Sequence, residues 1–405
     1  MLLAILAGVG VVIALQGPLS VGYLARAVEA RISSDRTQVT IGAATLDFSE
    51  GFPARIELLN VTMEAEGDVP IAVVVPRITA PLDVGAALTG HVAVSEVVLE
   101  QPRLTVHPVA GGTSEIPDMD QLSLAADSFA RLALEHLAER TIHRIELVSA
   151  ELVSEGEETY RMRGIDAELT REGDEILTVR AEIAGRLGRW RVGARRSVDP
   201  DTGARLIRLD IDDVTLGEFL PVDTDIRTGK GLGVPVDLRL ETELDNAGAF
   251  KATRLSTVVS PGWVNTGRTI VAFDRIDVQV QWLAGAPGFQ IAPSYYTRGR
   301  TVIPFEGVVE PPRDWQERWS FRIVSRGAEI GPSDVPGPPY EMEYLVVEGD
   351  ADPVARELGF DRITLRSGTA NLDGAGSLKL AEDGPYLALA MESGPMAVAT
   401  LKRLW

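Results

Sequence analysis

The feature that most constrains the fold is an alternation of apolar and polar residues with period two, repeated along most of the chain. In residues 177–183, Leu, Val, Ala and Ile alternate with Thr, Arg and Glu, and residues 236–244 and 276–282 follow the same pattern. Such alternation is typical of strands in antiparallel sheets that have one buried and one solvated face. Turn-forming residues separate these segments, for example at 199–203 and 285–288. We therefore predict a mainly β protein.

The strands are expected to form one long antiparallel sheet, twisted and curved into a trough-like groove. Regular alternation of helices and strands is absent from the pattern, which disfavours a parallel α/β fold. In residues 37–48 the apolar positions change parity after Val39 and Ile41, so we expect a bulge near residues 42–44.

Helical periodicity occurs in two places after the N-terminus. Residues 17–36 suggest a short juxtamembrane helix. Residues 120–140 suggest an amphipathic helix with Asp120 as its N-cap. Its apolar positions are expected to be Leu122, Phe129, Leu132, Leu134 and Leu137.

The predicted domain plan follows from these segments. It comprises a membrane anchor (1–16), a juxtamembrane helix (17–36), an N-terminal β block (37–110), a loop and amphipathic helix (111–141), and a continuing β-groove (142–405). We expect this last region to be incomplete at its C-terminus, and the chain to be part of a longer protein.

The first fifteen residues are all apolar or glycine and carry no charge. As a helix they would extend about 22 Å, which is short of the roughly 30 Å hydrocarbon core of a bilayer. This length fits an uncleaved membrane anchor or the apolar region of a signal peptide, and we predict the anchor. Either assignment places the bulk of the chain outside the cytoplasm.

Composition excludes several classes of protein. Among 405 residues, 59 are acidic and 39 are Lys or Arg, so the formal net charge is −20. Such a surface disfavours nucleic acid as a partner. There is no cysteine, which excludes disulfides, thiolate-bound zinc and cysteine nucleophiles.

No motif marks an enzyme or a cofactor site. The four histidines have no metal-ligand spacing, and residues 229–233 (GKGLG) lack the order of a phosphate-binding loop, so we predict a turn there. The acidic residues at 210–213 and 223–225 lack the pattern of an EF-hand. We predict no catalytic residue, no metal and no cofactor. The densest basic patch (Arg189, Arg191, Arg195 and Arg196) is expected to be the solvent face of a strand, with contact to anionic head groups as the alternative.

Several stretches, taken together, resemble the AsmA-like family of Gram-negative envelope proteins, in particular the N-terminal part of its YhdP-type branch. The matching stretches are QGPLS (16–20), VTIGAATL (39–46), IELLNV (56–61), PRI (76–78), VGAALTG (84–90), VVLEQPRLTV (97–106), FDRI (360–363), GAG (374–376), GPM (394–396) and LKRLW (401–405). The resemblance spans nearly the whole chain.

The resemblance implies a single-pass inner-membrane protein whose bulk lies in the periplasm and conducts phospholipids toward the outer membrane. Phospholipids, the inner membrane and other envelope proteins would be its partners. A groove of Val, Leu and Ile side chains can hold acyl chains while the head groups stay in water. The candidate groove residues are Val39, Ile41, Leu177, Val179, Ile183, Val236, Leu238, Leu240, Ile276, Val278 and Val280.

Two other functions remain open at this point. The chain could be a structural or scaffold protein of the envelope, built as closed β-sandwiches whose cores are filled by their own side chains. It could also be an enzyme with an unfamiliar site, which would need a cleft with converging polar groups.

Overall fold

The structure is a computed structural model. It describes residues 19–20, 25–26, 29, 33, 37–47, 55–65, 71–81, 94–107, 119–139, 141–155, 159–218, 224–265, 270–312, 318–331, 337–368, 370–381 and 384–395. The predicted anchor (1–16) and most of the predicted juxtamembrane helix (17–36) lie outside these residues. Within the described part of 17–36 the helix is wrong at Leu19–Ser20, which form a strand, whereas residues 25, 26 and 29 are helical. None of the helical segments within the described ranges combines the length and apolar character that a membrane crossing requires.

The described residues form two compact units, and strands dominate both. The mainly β character predicted from the alternation is confirmed. Unit 1 takes its residues from 1–112, 127–185 and 190–198, and unit 2 from 113–126, 186–189 and 199–405.

The described part of unit 1 includes ten strands and most of one long helix. These elements are β1 (Leu19–Ser20), β2 (Thr37–Asp47), β3 (Arg55–Ala65), β4 (Ile71–Pro81), β5 (Glu96–Glu100), β6 (Arg103–Val106), helix α1 (Met119–Glu139, in this unit from Asp127 onward), β7 (Arg144–Glu155), β8 (Thr159–Glu172), β9 (Ile176–Ala184) and β10 (Arg189–Val198, in this unit from Trp190 onward).

One pairing in unit 1 differs from the predicted all-antiparallel sheet. Strands β2, β3 and β4 are antiparallel neighbours, and β4 pairs with both β5 and β6. Strand β7 then runs parallel to β5 and β6. Helix α1 lies in the connection between β6 and β7, because parallel neighbours need a long crossover. The antiparallel order resumes with β8 and β9.

The predicted change of parity in β2 is present, but no extra residue produces it. Val39, Ile41 and Ala44 are all buried in one apolar cluster with Val61 and Val75. The pairing of β2 with β3 stays in a single register through residues 42 and 60. Asn60, opposite Gly42, has φ = 52°, so a left-handed residue replaces the expected bulge.

Helix α1 begins one residue earlier than predicted, so Asp120 lies inside its first turn and is not the N-cap. Leu134 and Leu137 are buried as expected, and with Ala130 they pack on Leu177 of β9. The other three apolar positions of the predicted helix, Leu122, Phe129 and Leu132, are exposed, Phe129 by 74%. Small and polar side chains, Ser123 and Asp127 among them, occupy the buried face.

An ion pair between Asp127 of α1 and Arg196 of β10 connects the helix to the strand. Arg196 Nε donates to Asp127 Oδ1 at 2.8 Å, and Arg196 Nη1 donates to the Glu175 carbonyl at 2.9 Å. Both charged side chains are buried, with 8% of Arg196 and 4% of Asp127 exposed. The predicted solvent-facing basic patch is therefore wrong at Arg196, although Arg191 and Arg195 are exposed.

Unit 2 contains a long antiparallel meander and a small second sheet. The meander strands are β11 (Arg205–Thr215), β13 (Pro235–Leu244), β14 (Phe250–Val259), β17 (Arg275–Leu283), β18 (Phe289–Arg298), β19 (Thr301–Glu310), β20 (Trp319–Ile330), β21 (Tyr340–Asp352), β22 (Glu357–Ser367), β23 (Ala370–Ala381) and β24 (Gly384–Ser393). Each pairs antiparallel with the next in this order. The second sheet consists of β12 (Gly231–Gly233), β15 (Gly262–Asn265) and β16 (Ile270–Phe273).

The predicted turn at 229–233 is confirmed only at its first residue, because the turn covers residues 226–229 and residues 231–233 form a strand. Asp225 and Lys230 form a β-bridge, and their backbone hydrogen bonds are both 3.0 Å long. Asp225 Oδ1 also accepts a hydrogen bond from the backbone N–H of Arg227 at 2.9 Å, which closes the turn. Hydrogen bonds from Thr228 and Arg227 hold the pKa of the Asp225 carboxyl below its usual value.

Candidate functional site

A continuous row of apolar residues crosses the eleven-stranded meander of unit 2. Residues paired across neighbouring strands share one face of a sheet, so the strand register defines this row. From β11 to β24 the paired residues are Leu209, Leu240, Leu255, Val280, Ile291, Gly307, Ile323, Val347, Ile363, Gly374 and Met391. We call this set the apolar row. It contains no polar side chain.

The apolar row is not enclosed like an ordinary protein core. Its residues from β11 to β23 are half-buried, and Met391 on β24 is 41% exposed. Along β13, Leu238 and Leu240 in the middle are half-buried, whereas Val236 and Leu244 near the ends are buried. Along β13, the centre of the apolar face is therefore more accessible than its ends.

One margin of the apolar face carries packed aromatic residues. Leu244, Phe250 and Trp282 form a buried cluster. The rings of Trp282 and Phe289 meet edge to face with centroids 4.2 Å apart, and Trp319 stacks on Phe289 at 6.2 Å. Such contacts hold large apolar side chains in fixed positions.

Two polar residues on this face form a hydrogen bond with each other. Thr242 and Thr253 are paired across β13 and β14 and both are buried. Their hydroxyl oxygens lie 2.7 Å apart in a hydrogen bond. The two buried hydroxyls therefore satisfy each other within the apolar face.

The opposite face of the same strands is charged and paired. The neighbouring row runs, in order from β11, through Arg208, Glu241, Arg254, Gln281, Gln290, Val308, Arg322, Glu348 and Arg362. Arg208 contacts Glu241 at 2.6 Å and Arg322 contacts Glu348 at 2.8 Å. Exposed pairs of this kind add little stability, but they show that these charged side chains are in water.

The polar face supplies a prediction about Asp373 on β23. Both of its carboxylate oxygens accept hydrogen bonds of 2.9 Å from Arg366 Nη2, and Thr364 donates at 3.0 Å. These bonds hold the pKa of the Asp373 carboxyl below its usual value near 3.8. Its contribution to stability is thus present above that value and is lost as pH falls through the lower, folded-state pKa. We expect Arg366→Gln to raise the titration midpoint of Asp373, measured by carboxyl-carbon NMR.

Arg362→Gln is the matched control for this titration. Arg362 affects Asp373 through charge alone and more weakly than Arg366. Its replacement should therefore raise the midpoint by less. An unchanged midpoint in Arg366→Gln would contradict the assignment.

Glycines in the apolar row allow close approach of neighbouring strands. A Cβ on Gly307 would overlap the backbone carbonyl of Arg322, and a Cβ on Gly374 would meet the Ala390 carbonyl oxygen at 2.5 Å. Glycine kinks of this kind let a sheet bend toward the face on which the side chain is missing. Glycine at these two positions is therefore required by the close approach of the neighbouring strands.

The candidate groove residues fall into two groups. Leu238, Leu240, Ile276, Val278 and Val280 are half-buried on the apolar face of unit 2, and Val179 is half-buried in unit 1. The other five are buried in the protein: Val39, Ile41, Leu177, Ile183 and Val236. Val39 and Ile41 pack in the β2–β4 cluster and Leu177 packs under α1, so these side chains contact protein and not a groove.

Sequence reasoning missed most of the apolar row beyond β17. Ile291, Ile323, Val347, Ile363 and Met391 belong to it by register. The signal was available in part, because the polar Arg322 lies between the apolar Phe321 and Ile323 in the sequence. What the pattern lacked was the pairing that places these residues on one face.

Unit 1 carries a shorter row of the same kind. Across β2, β3, β4, β5, β7, β8 and β9 the paired residues are Ala44, Leu58, Ile78, Leu99, Leu147, Ala167 and Ala181. Helix α1 covers the neighbouring residues Ile145 and Leu169. The apolar face of unit 1 is therefore partly closed by its own helix.

Within the described residues, no group of three or more His, Cys, Asp or Glu side chains converges as metal ligands would. Comparison with protein-family models, with curated proteins and with solved structures found no match to this chain.

Proposed function

We propose that the apolar face of unit 2 binds the acyl chains of phospholipids and lets them move along the sheet. The observation that carries this proposal is the accessible centre of an apolar row that crosses eleven strands. Burial of apolar surface contributes about 25 cal/mol per Å², so a bare apolar face of this extent favours an apolar ligand.

The dimensions support a transfer function over a single binding site. Neighbouring strands lie about 4.8 Å apart, so the apolar row extends roughly 48 Å across the sheet. One leaflet of a bilayer has a hydrocarbon depth of about 15 Å, half of the roughly 30 Å core. The row is several times longer than one acyl chain. It consists of similar Leu, Ile and Val side chains, so neighbouring positions would bind with similar free energy.

The cellular setting belongs to the same proposal. The apolar run at residues 1–15 supports an inner-membrane anchor with the sheets in the periplasm, and the resemblance to AsmA-like proteins supports phospholipids as ligands. On this proposal the protein performs no catalysis. It needs no cofactor, and its partners are the inner membrane and other envelope proteins.

Site-specific photo-crosslinking tests where lipid binds. A photoreactive amino acid at Ile323, in the apolar row, should give lipid adducts in cells, detected by mass spectrometry of the purified protein. The same residue at Arg322, the neighbouring position on the polar face, should give none. Equal labelling at both positions, or none at Ile323, would overturn the proposal.

A charged residue in the apolar row should block lipid loading. We expect Ile291→Glu to reduce co-purifying lipid by about tenfold or more, because seating an acyl chain against an ionised carboxylate desolvates the charge. Gln290→Glu adds the same charge at the adjacent position on the polar face and should leave lipid content unchanged. Circular dichroism of both variants checks that they are folded.

A structural or scaffold role remains the second candidate, and unit 1 favours it. There the apolar residues of β2–β4 form a closed cluster, and α1 covers part of β7–β9. A scaffold protein would retain its envelope function in the Ile291→Glu variant, whereas a lipid-transfer protein would lose it.

A further inference from the structure

In five neighbouring segments of unit 1, one residue each departs from regular strand geometry or is a proline. Asn60 on β3, Gln101 between β5 and β6, Ser149 on β7 and Gly164 on β8 have φ values of 52°, 52°, 54° and 63°. Pro76 on β4 lies opposite Asn60, since the flanking pairs are Leu59 with Arg77 and Val61 with Val75. We call these five residues the crease.

A pocket lies beside the crease in unit 1, and most of the crease residues line it. The pocket has a volume of about 400 Å³. Val74, Pro76 and Ala150 form an apolar wall, and Gln101, Ser149, Arg103, Glu151 and Arg163 supply polar groups. Val74 is 44% exposed, so this wall is accessible to solvent.

Three guanidinium groups beside the pocket share one carboxylate. Arg163 Nε donates to Glu151 Oε1 at 2.9 Å, and Arg161 Nε lies 3.3 Å from the same oxygen. Arg103 Nε lies 3.8 Å from Glu151 Oε2. The hydrogen bond from Arg163, with the charges of Arg163, Arg103 and Arg161, holds the pKa of the Glu151 carboxyl below its usual value. At neutral pH this group of four side chains therefore carries a net charge of about +2.

This positive group is unusual for its setting. The chain as a whole carries −20, and Arg144 in the same unit has the reverse arrangement. One guanidinium there contacts three carboxylates: Glu96 at 3.0 Å, Glu146 at 3.1 Å and Glu168 at 2.8 Å. The excess of guanidinium groups over carboxylates at the crease pocket is thus the reverse of the arrangement at Arg144.

The three guanidinium groups have more N–H donors than the Glu151 carboxylate has acceptor positions. Three guanidiniums present about fifteen N–H donors, whereas one carboxylate offers about four acceptor positions. Arg163 is 66% exposed and Glu151 only 23%, so the free donors face outward. Guanidinium forks match the oxygens of phosphate, and a phosphomonoester at neutral pH carries between about −1.5 and −2 charges.

We propose that the crease pocket binds a phosphomonoester, with its phosphate on Arg103, Arg161 and Arg163 and its organic part against Val74 and Pro76. Glu151 stays ionised in this arrangement and holds the three guanidiniums together. The site lies in unit 1 and is independent of the apolar row of unit 2.

Titration of the full chain with phenyl phosphate tests this site. We expect saturable binding by calorimetry, tighter than that of inorganic phosphate because the phenyl ring contacts the apolar wall. Added salt should weaken the binding. Arg163→Gln should weaken it by about tenfold, which corresponds to the loss of one charge-assisted contact. Absence of saturable binding of either probe would overturn a site for soluble phosphomonoesters.

Arg77→Gln is the matched control. Arg77 lies on β4 and is 48% exposed, but it contacts Glu57 and Glu100 and does not line the pocket. Its replacement should leave the affinity for phenyl phosphate unchanged, and equal losses in both variants would show only nonspecific attraction.

A third arm separates the two sources of a phosphomonoester. Vesicles of phosphatidylcholine containing phosphatidate should bind in an Arg163-dependent way if the phosphate belongs to a lipid head group. Binding of phenyl phosphate without vesicle binding would identify a soluble ligand. No Arg163-dependent binding in any arm would overturn the proposal.

Discussion

Replacing Arg196 by leucine is expected to lower the free energy of unfolding by about 3–5 kcal/mol, the usual cost of removing one partner of a buried ion pair. The guanidinium donates to Asp127 Oδ1 at 2.8 Å, and only 4% of the Asp127 side chain is exposed. Removal of Arg196 therefore leaves a buried carboxylate without its guanidinium partner. Urea denaturation monitored by tryptophan fluorescence measures the loss.

Two further variants make this prediction specific. The double variant Asp127→Leu, Arg196→Leu removes both charges and should recover most of the lost stability, because apolar replacements of a buried pair are often tolerated. Arg208→Leu removes an exposed arginine that contacts Glu241 and should cost less than about 1 kcal/mol. Equal losses in the single and double variants would show that the packing of Arg196, and not its charge, is what matters.

Gly349→Ala on β21 should destabilise unit 2 by about 3 kcal/mol, at the upper end of the range for overpacking. A Cβ at this position would overlap the backbone carbonyl of Gly359 on β22 and lie 3.1 Å from the Phe321 ring. The backbone on one side and an aromatic ring on the other leave little room for adjustment. A fall in the thermal midpoint by several degrees would report the loss.

Gly368→Ala serves as the control for Gly349→Ala. A Cβ there would be 3.5 Å from the Glu343 carboxylate, an ordinary contact with the end of a flexible side chain. Its stability should be nearly unchanged. If Gly349→Ala were equally harmless, the close approach of β21 and β22 would not be needed for the fold.

Much of the strand content was predictable because alternation is a local signal. Residues 236–244 and 276–282 alternate at every position except Thr242, and both segments lie within strands. The face of a helix was harder to assign. In α1 the polar Ser123 and Asp127 are buried while Phe129 is exposed, because Arg196 from a distant strand provides a partner for Asp127. No local pattern contains that information.

The candidate site was predictable only in part for a related reason. Leu240 and Val280 were identified from the alternation within their own strands. Ile323 and Ile363 join them only through the successive pairings that connect β13 to β22. The crease was not predicted, since Gln101 and Ser149 are ordinary residues with φ values that the sequence does not indicate. Register and backbone conformation are long-range properties, and hydropathy alone does not determine them.

The meander of unit 2 joins each strand to the next strand of the same sheet along the chain. A sheet with this connectivity can gain or lose a hairpin without changing the pairing of the strands that remain, as repeat proteins gain or lose repeats. Each added hairpin would lengthen the sheet by about 10 Å, two strand spacings. The reach of such a protein is therefore set by counting hairpins, and evolution can tune that distance while each strand keeps its own sequence.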